Sequence, residues 1–227
     1  MIGTIANTIA ILVGSIVGGM LRHGLKKKYQ EVLYTAMGLA AAGLGINAVV
    51  QNMPNSSYPV LFIASLAIGG VVGSALDLDG RFTKLVTRHS KEGSQLARGL
   101  STGIMLFCIG TLSILGPINS ALYGDETFLF TNAMLDLVTS MVLASTFGYG
   151  MAVAAGVLFA WQSAIYLLAL WLAPLLTGGL MGEISIVGGF LIFASGLSIL
   201  KIKEISTMNL LPALFVPPLW FALMAVV

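Results

Sequence analysis

Residues 2–28 read IGTIANTIAILVGSIVGGMLRHGLKKK, in which a long run without acidic or basic residues is followed by a basic cluster. A helix of about 20 apolar residues spans the hydrocarbon core of a bilayer. Because positively charged loops stay in the cytoplasm, this stretch predicts a first membrane span that ends at a cytoplasmic loop. It lacks the basic region that opens a signal peptide and it ends in Arg22, so a retained helix is favoured.

The same arrangement extends along the whole chain of 227 residues, because its 11 lysines and arginines fall in three short intervals, 22–28, 81–98 and 201–203. A soluble protein distributes basic residues over its entire surface. The composition is 57% hydrophobic and only 9% charged, whereas a globular domain carries about a quarter charged residues. The sequence therefore predicts an integral membrane protein, and its net charge of +2 does not indicate nucleic-acid binding.

Apolar segments of membrane-spanning length recur along the chain. Since backbone groups cannot be left unpaired in lipid, each isolated span must be a helix. The sequence predicts an all-α integral membrane protein in which residues 1–227 form a single transmembrane domain of about eight helices. The predicted spans are residues 2–21, 32–50, 59–76, 100–116, 128–147, 151–173, 184–200 and 208–226.

The basic loops also predict an orientation. They follow the first, third and seventh spans, so they fall on one side of the membrane, which the positive-inside rule makes cytoplasmic. These cytoplasmic loops are residues 22–31, 77–99 and 201–207. Both termini and the remaining loops are then external, and these loops carry acidic residues only: they are 51–58, 117–127 and 174–183, with Asp125, Glu126 and Glu183.

The loop at 77–99 is the longest of the predicted loops. Phe82, Leu85 and Val86 recur within it at helical spacing, between basic residues. This pattern predicts a short amphipathic helix on the inner leaflet, attracted by anionic lipid. A solvated connector explains the same residues equally well.

Spans 1–3 and 6–8 share a sparse sequence pattern. Gly38 and Gly45 are seven residues apart, as are Gly189 and Gly196, and a Pro-x-Leu-Phe sequence follows each pair. The copies are an odd number of spans apart, so they would cross the membrane in opposite directions, as in the inverted repeats of secondary transporters. We expect residues 1–76 and 151–227 to be the copies and 100–147 to form two linking spans. Coincidence among abundant residue types is the alternative.

One acidic residue, Asp136, falls inside a predicted span, whereas the others lie in loops or at span ends. A carboxylate in the bilayer interior costs about 3 kcal/mol on insertion scales, so it faces a cavity, a partner or the bundle interior. Asp136 is therefore our candidate proton or cation site, with Thr139 and Ser140 beside it at helical spacing. The alternative is a protonated side chain that only links helices by hydrogen bonds.

Further polar side chains lie within the predicted spans, and buried amides can bind a polar solute or sodium through their carbonyl oxygens. In membrane helices they more often form interhelical hydrogen bonds, worth about 0.6–2 kcal/mol each. Together with Asp136 they predict a polar seam that binds a solute or an ion. The candidate residues are Asp136, Asn7, Thr8, Asn47, Thr139, Ser140, Gln162, Ser163 and Asn209.

Glycines and prolines predict how the helices pack and where they break. Small residues four apart permit close helix crossings, although this spacing is common by chance in a chain with 27 glycines. Gly116-Pro117 is expected to end a span, whereas Pro212 and then Pro217-Pro218 are expected to break the last helix. The predicted packing residues are Gly14, Gly18, Gly69, Gly73, Gly99 and Gly103.

Metal and nucleophile chemistry are not indicated. His23 and His89 lie far apart in predicted loops, and the single cysteine, Cys108, lies in a predicted span. The sequence contains neither a phosphate-binding loop nor a nucleophile elbow. We therefore expect no metal, no cofactor, no enzymatic activity and no intramolecular disulfide.

Several stretches resemble one family in the same order along the chain: Gly3–Thr8 with Gly14 and Gly18, Ala67–Asp79, Leu135–Gly148 and Asn209–Ala213. This is the bacterial multi-pass membrane family catalogued as domain of unknown function 554. The resemblance covers essentially the whole chain, implies an integral inner-membrane protein and supplies no substrate. Ser74 stands where the family usually has an acid and Asn132 where a lysine is expected, so Asn132 removes an ionic partner for Asp136.

These features predict a small secondary transporter or permease for a small solute or ion, coupled to protons or sodium through Asp136. A chain of this size is expected to work in the lipid bilayer as a homodimer or higher homo-oligomer. The alternative is a non-transporting membrane protein that organises partners or lipids through its glycine-rich faces. An intramembrane enzyme is the least favoured hypothesis, and the solute is not identified by the sequence.

Overall fold

A computed structural model describes residues 1–21, 26–87, 100, 103–104, 106–108, 110–173 and 178–224. Every regular element within these residues is helical, and they contain no β-strand. The predicted all-α class is therefore confirmed for the described part of the chain. The predicted packing residue Gly99 and the loop residues His23 and His89 lie outside it.

Ten α-helices, α1 to α10, follow one another in the described residues, with short 3₁₀ segments between some of them. The α-helices are α1 Ile2–Met20, α2 Lys27–Asn52, α3 Leu61–Ala75, α4 Leu78–Thr87, α5 Thr111–Tyr123, α6 Thr127–Phe147, α7 Val153–Leu172, α8 Gly178–Ile199, α9 Thr207–Leu210 and α10 Val216–Met224. The 3₁₀ segments are Met53–Asn55, Tyr149–Ala152 and Leu211–Phe215.

Six helical stretches among the described residues are long and apolar enough to cross a membrane. They correspond to the predicted spans 1, 2, 5, 6, 7 and 8. The third predicted span appears as α3, an apolar helix of 15 residues, and the fourth includes residues outside the described part. The fold is thus a multi-pass helical bundle with six to eight membrane-length apolar helices.

The last span changes helix type at its predicted proline. The 3₁₀ segment Leu211–Phe215 contains Pro212 and lies between α9 and α10, while helical backbone continues from Thr207 to Met224. The predicted second break at Pro217-Pro218 is wrong, because both residues lie in the first turn of α10. Proline is tolerated there, since the first-turn N–H groups have no partner within the helix.

The fourth span differs from its prediction at its end and at a point within it. Pro117 lies inside α5, which continues to Tyr123 and ends at Gly124 with a left-handed φ of 69°. Gly116-Pro117 therefore does not end the span, and the predicted loop 117–127 shortens to residues 124–126. Before α5, Gly110 has an extended ψ of 135° and separates α5 from the helical residues 106–108. This break was not predicted.

The predicted loop at 77–99 begins with a helix, α4. Asp77 precedes it with a left-handed φ of 48°, and its carboxylate accepts a hydrogen bond from the Gly80 N–H (3.3 Å). The apolar face predicted for Phe82, Leu85 and Val86 and the remainder of the loop, 88–99, lie outside the described side chains and residues. Its contact with lipid stays a prediction.

The chain divides into two compact units. The first unit comprises Met1–Thr35 and Phe82–Ala173, and the second comprises Ala36–Arg81 and Pro174–Val227. The first therefore combines α1 with α5, α6 and α7, whereas the second combines most of α2 with α3, α8, α9 and α10. Each unit brings together helices from both predicted repeat copies. The prediction of a single transmembrane domain stays a prediction.

In the first unit, α1 packs against α6 in a parallel direction. Gly3 faces Leu129 near the start of both helices, and Gly18 faces Met141 farther along. A Cβ atom at Gly14 would overlap the backbone carbonyl of Leu137. The missing side chains let the two backbones approach closely, which is how small residues stabilise helix pairs in membranes.

In the second unit, α8 packs antiparallel to α2 through glycines. A Cβ atom at Gly45 would lie 2.6 Å from the carbonyl oxygen of Gly189, and one at Gly196 would lie 2.9 Å from that of Gly38. Gly69 and Gly73 of α3 contact the last span in the same way, with Gly73 against the Asn209 backbone. Close backbone approach therefore organises both units.

Candidate cation-binding site

Asp136 lies in the middle of α6 and is almost completely buried within the first unit, with 4% of its surface exposed. Asn132, one helical turn earlier, donates a hydrogen bond from Nδ2 to Asp136 Oδ2 (3.0 Å). The family position at which a lysine is expected therefore supplies a neutral donor to the carboxylate. The helices of the first unit that carry the site, α1, α5, α6 and α7, contain no lysine or arginine.

Ser113 connects Asp136 to the break in the fourth span. Its hydroxyl accepts hydrogen bonds from Asn132 Nδ2 (3.1 Å) and Gln162 Nε2 (3.2 Å). The same hydroxyl donates to the carbonyl oxygen of Phe107, at the end of the helical residues before Gly110. The sequence analysis missed Ser113, although the preceding Gly110 was an available sign of a helix break.

Asn7 of α1 completes this group, which we call the Asp136 cluster and define as Asn7, Ser113, Asn132, Asp136 and Gln162. The Asn7 side chain interacts with Asp136, but neither its nitrogen nor its oxygen makes a well-formed hydrogen bond. Gln162 Oε1 is also buried without a hydrogen-bond partner. The cluster therefore contains unpaired buried amide atoms of both kinds, the oxygens of Asn7 and Gln162 and the nitrogen of Asn7.

The other predicted polar residues of the first unit lie on the helices α1, α6 and α7, which also carry Asn7, Asp136 and Gln162. The Thr8 hydroxyl donates to the Thr4 carbonyl (2.8 Å), and the Ser140 hydroxyl donates to the Leu137 carbonyl (3.0 Å). Thr139 pairs with the Tyr34 hydroxyl. The hydroxyl oxygens of Ser15 and Ser163 are buried without a partner.

Apolar layers cover the Asp136 cluster on two sides. Leu129, one turn before Asn132 on α6, is fully buried and faces Gly3 and Gly116. On the opposite side, one turn beyond Asn7 and Gln162, Ile11 and Leu158 form a buried apolar layer. Its other buried members are Phe107, Cys108, Ala154 and Ala155. An ion held between these layers would be shielded from bulk water.

Two predicted site residues, Asn47 and Asn209, belong to the second unit. Asn209 Oδ1 accepts a hydrogen bond from the Asp79 N–H (3.0 Å), so it caps the start of α4. Asn47 is exposed on α2. The structure therefore separates these two amides, by unit, from the Asp136 cluster.

Glu183 is a buried acid that the sequence analysis placed in the external loop 174–183. This assignment is wrong, because α8 already begins at Gly178 and Glu183 is 1% exposed within it. Its Oε1 accepts hydrogen bonds from the Ser56 hydroxyl (2.5 Å) and the Tyr58 N–H (3.1 Å). The carboxylate thus fastens α8 to the connection between α2 and α3.

Glu126 holds the start of α1 in the first unit. Its carboxylate accepts hydrogen bonds from the Ser120 hydroxyl (2.9 Å), the Gly3 N–H (3.1 Å) and the terminal ammonium of Met1 (3.2 Å). Burial raises the pKa of Glu126, but these donors together hold its pKa below the ordinary value. Glu126 therefore stays ionised at neutral pH.

The chemistry that these groups can perform is binding. The described residues contain no group of three or more histidine, cysteine, aspartate or glutamate side chains that could hold a metal ion. The Asp136 cluster instead offers one carboxylate with neutral amide and hydroxyl oxygens. Such a set can hold a proton or a single monovalent cation.

Comparison with known proteins gives a family. Residues 2–222 match the family described as "Protein of unknown function (DUF554)". The chain is 58% identical over 218 residues to the "Uncharacterized membrane protein YdfK" of Bacillus subtilis (strain 168), covering 96% of this chain and 94% of that protein. It is 30% identical over 238 residues to the "Uncharacterized protein YqgA" of Escherichia coli (strain K12), covering 98% and 100%. No solved structure matches the chain.

These matches extend over almost the full length of the chain and of both relatives, so they concern the whole membrane bundle and not one segment. They confirm the family resemblance found in the sequence motifs. The six long apolar helices of the described part agree with the printed name of the Bacillus relative. The chain is a multi-pass membrane protein and belongs to the DUF554 family.

Proposed function

We propose that this protein is a small secondary transporter that moves a solute or ion across a bacterial cell membrane. The Asp136 cluster binds the coupling cation, and the basic loops face the cytoplasm. A coupling site must attract a cation into the membrane and must later release that cation. A single carboxylate surrounded by neutral groups suits both steps.

The observation that carries this proposal is a buried carboxylate beside buried amide groups that are not fully hydrogen-bonded. Asp136 is 4% exposed, and Asn7 and Gln162 beside it are fully buried with unpaired amide atoms. Each buried polar group that lacks a partner costs about 1–3 kcal/mol. A cluster that served only to hold helices together would be expected to have its donors and acceptors matched.

The broken helix next to the cluster supports the same function. Gly110 interrupts the fourth span, and the Phe107 carbonyl before the break contacts Ser113 of the cluster. In secondary transporters, discontinuous helices expose backbone groups at the site where substrate or coupling ion binds. The change of helix type in the last span lies in the second unit.

The glycine contacts of the second unit support the proposed inverted repeat. The first glycine of each copy faces the second glycine of the other: Gly38 lies against Gly196, and Gly45 lies against Gly189. A two-fold axis in the membrane plane, between two copies of opposite direction, produces such reciprocal pairs. We propose that transport uses this pseudo-symmetry to present the site to each side in turn.

The test is solute-induced charge movement in reconstituted membranes. Purified protein in liposomes is placed on a solid-supported membrane and exposed to amino acids, carboxylates and nucleosides under an inward proton or sodium gradient. We expect at least one solute class to evoke a current. The Asp136→Asn variant should reduce that current by roughly tenfold or more, since it removes the only intramembrane charge of the site.

A matched control is available in the second unit. Glu183→Gln also neutralises a buried acid, but Glu183 has its own donors in Ser56 and Tyr58, so its current should persist. If no solute class evokes a current from correctly folded wild-type protein, the transport proposal is wrong. Equal losses in both variants would assign the effect to general destabilisation.

One observation favours the second candidate function, a non-transporting protein that organises partner helices. Asn47 is exposed on α2, and a Cβ atom added at the neighbouring Gly43 would have no atom within 4 Å. An amide on an exposed membrane face gains from a partner helix that accepts its hydrogen bonds. Asn47→Leu should then lower the homodimer fraction in crosslinking. Solute currents should stay unchanged unless transport requires the dimer.

A further inference from the structure

Asn7 of α1 offers Asp136 both a donor and an acceptor. Its side chain is fully buried and interacts with the carboxylate, yet neither its nitrogen nor its oxygen makes a well-formed hydrogen bond. An ionised carboxylate accepts hydrogen bonds, whereas a protonated one also has an O–H group that donates. Asn7 can therefore serve either protonation state of Asp136, with its nitrogen in one state and its oxygen in the other.

Asn132, the second amide beside the carboxylate, has a fixed orientation. Its Nδ2 donates both to Asp136 Oδ2 (3.0 Å) and to the Ser113 hydroxyl (3.1 Å). The proton of that hydroxyl is already used, because Ser113 donates to the Phe107 carbonyl. A half turn of Asn132 would place its oxygen against two acceptors, so its nitrogen stays on Oδ2. The other carboxylate oxygen, Oδ1, is left for a proton.

The helices around Asp136 supply no basic side chain that would pair with it. α1, α5, α6 and α7 carry no lysine, arginine or histidine, and Asp136 is their one acidic residue. Glu126 precedes α6 by one residue and lies ten residues before Asp136, about 15 Å along the helix. The Met1 ammonium pairs with Glu126 there, so neither group balances the charge of Asp136.

Two further ionisable groups face α6 from neighbouring segments. The Cys108 thiol interacts with the charge of Asp136, and the Tyr34 hydroxyl of α2 pairs with Thr139. Thiol and phenol groups are uncharged near neutral pH. Among the described groups that face the cluster, its charge near neutral pH therefore depends on the protonation of Asp136.

Exchange of a proton uses both polar atoms of Asn7. The nitrogen donates to the ionised carboxylate, and the oxygen accepts from the O–H group of the protonated one. Each state thus has one hydrogen bond between the two side chains, and only its direction changes. A metal cation is bound through oxygen atoms and gives no role to the buried Asn7 nitrogen. The Gln162 oxygen is outside this exchange and favours neither state.

The movement that this exchange requires is a half turn of the Asn7 amide. The last side-chain torsion of asparagine is broad and roughly two-fold, so both orientations are accessible. Buried apolar residues flank the cluster, with Leu129 on one side and the Ile11–Leu158 layer on the other. The amide therefore finds its partners within the cluster, and the exchange requires no movement of a helix.

We propose that the coupling ion is a proton bound at Asp136 Oδ1, and that Asn7 reverses its amide whenever this proton binds or leaves. This inference rests on the proposed transport function and specifies its coupling ion. Binding takes a proton from water and forms an O–H bond at Oδ1, which donates to the Asn7 oxygen. Release breaks that O–H bond, returns the proton to water and leaves the Asn7 nitrogen as donor to the carboxylate. Asn7 is thus a positioning residue for the proton.

Infrared difference spectroscopy observes both side chains directly. The full-length protein is labelled with carbon-13 in the side-chain carbonyl of asparagine, reconstituted in lipid and exchanged between acidic and alkaline sodium-free buffers. A protonated carboxylic acid has a C=O band that the ionised form lacks, and an amide C=O band shifts when its hydrogen bond changes. Subtracting the spectrum of Asp136→Asn removes the exposed acids and isolates the acid of the cluster, since the added amide does not titrate.

We expect the isolated spectrum to lose one carboxylic-acid band at alkaline pH and to show a shift of one labelled asparagine band over the same pH range. Asn7→Leu should abolish the asparagine shift and keep the carboxylic-acid band. Asn47→Leu is the matched control, because Asn47 is an exposed asparagine of the second unit, and it should leave both signals. The asparagine signal is read in unmodified protein, so a variant that fails to fold does not remove it.

Two results overturn the proposal. One is a carboxylic-acid band of Asp136 that changes without an asparagine shift, or with a shift that persists in Asn7→Leu. The other is a cluster spectrum that does not respond to pH; a response to sodium at constant pH would then assign the site to a metal cation. Proton-dependent bands without any solute current would retain the proton site and remove the transport function. A sodium-driven current without such bands would do the reverse.

Discussion

Asp136 in the first unit and Glu183 in the second are both acids within long apolar helices, with 4% and 1% of their surfaces exposed. Their surroundings differ in the supply of donors. Glu183 Oε1 accepts from the Ser56 hydroxyl and the Tyr58 N–H, groups that belong to a connection between helices. Asp136 accepts from the Asn132 amide and interacts with Asn7, and amide atoms of Asn7 and Gln162 lack a well-formed hydrogen bond.

The comparison teaches that burial of a carboxylate in a membrane bundle does not by itself indicate a transport site. A carboxylate whose hydrogen bonds come from the protein is compensated, and it fastens the fold. A carboxylate whose polar neighbours are not all paired can gain an additional partner, and that partner can come and go. On this criterion Glu183 is structural and Asp136 is the candidate site.

The largest effect is expected from removing these two carboxylates in sodium-free buffer. Glu183→Ala removes the acceptor of the Ser56 hydroxyl and leaves the Tyr58 N–H only its second acceptor, Ser56 Oγ (3.1 Å), so it should lower the free energy of unfolding by about 2–3 kcal/mol. Asp136→Asn removes an uncompensated acid and should leave the free energy of unfolding unchanged or raise it. Denaturant-induced unfolding in mixed micelles measures both.

Ser56→Ala provides the control for that prediction. It removes one of the two donors of Glu183 and should cost less than Glu183→Ala, about 1–2 kcal/mol. If Asp136→Asn destabilised the protein as much as Glu183→Ala, the donor criterion would fail. Asp136 would then be a hydrogen-bonding link between helices, the alternative left open by the sequence.

A smaller effect tests whether the two units are packed equally tightly. If they are, the difference between the two carboxylates lies in their hydrogen-bond donors and not in the packing around them. Gly14→Ala in the first unit would overlap the Leu137 carbonyl, and Gly73→Ala in the second would overlap the Asn209 carbonyl. Since neither backbone can move away cheaply, each change should lower the free energy of unfolding by about 1–3 kcal/mol. Parallel denaturation curves of the two variants measure the difference between the units.

Matched controls exist for both glycines. Gly156 of α7 and Gly182 of α8 lie in helices and have nothing within 4 Å of a Cβ position. Alanine there should be neutral or stabilising by up to about 1 kcal/mol, because it favours the helix. A large loss at Gly14 and none at Gly73 would show that the second unit is loosely packed, and Glu183 would then need another explanation.

The compartment and much of the fold follow from composition and periodicity. Confinement of basic residues to short intervals predicts a membrane bundle, and Pro212 predicts the departure of the last span from a regular α-helix, because proline removes a backbone donor and clashes with the preceding turn. Both features depend on one residue type or on a local run. Local signals of this kind can be recognised without knowing which helices touch.

The hydrogen-bond donors around Asp136 and Glu183 could not be predicted from the sequence, because they depend on contacts between residues that are distant along the chain. Glu183 and Ser56 are 127 residues apart, and Gln162 and Ser113 are 49 apart. Pro117 also misled the sequence analysis: proline ends helices in water-exposed segments, but in α5 neighbouring helices stabilise the turn around it. The division of Asn47 and Asp136 between two units is likewise a result of tertiary packing.

The smallest effect is expected for Glu126, a carboxylate of the first unit that has its own hydrogen-bond donors, as Glu183 has in the second. The donors Ser120 and Gly3 help hold the pKa of Glu126 below its ordinary value, so its contribution is fully present above the unfolded-state pKa of about 4.3. It is lost as the pH falls through the lowered folded-state pKa, because the protonated acid no longer holds its donors as strongly. We expect the difference in unfolding free energy between wild type and Glu126→Gln to be at most about 1 kcal/mol at pH 7 and to shrink below pH 4. Thermal unfolding of both proteins from pH 7 to pH 3 measures this difference and cancels the titration of the other acids.

A difference that stayed constant or grew in acid would mean that donors do not decide how a carboxylate behaves in this unit, and the contrast between Asp136 and Glu183 would lose its physical basis.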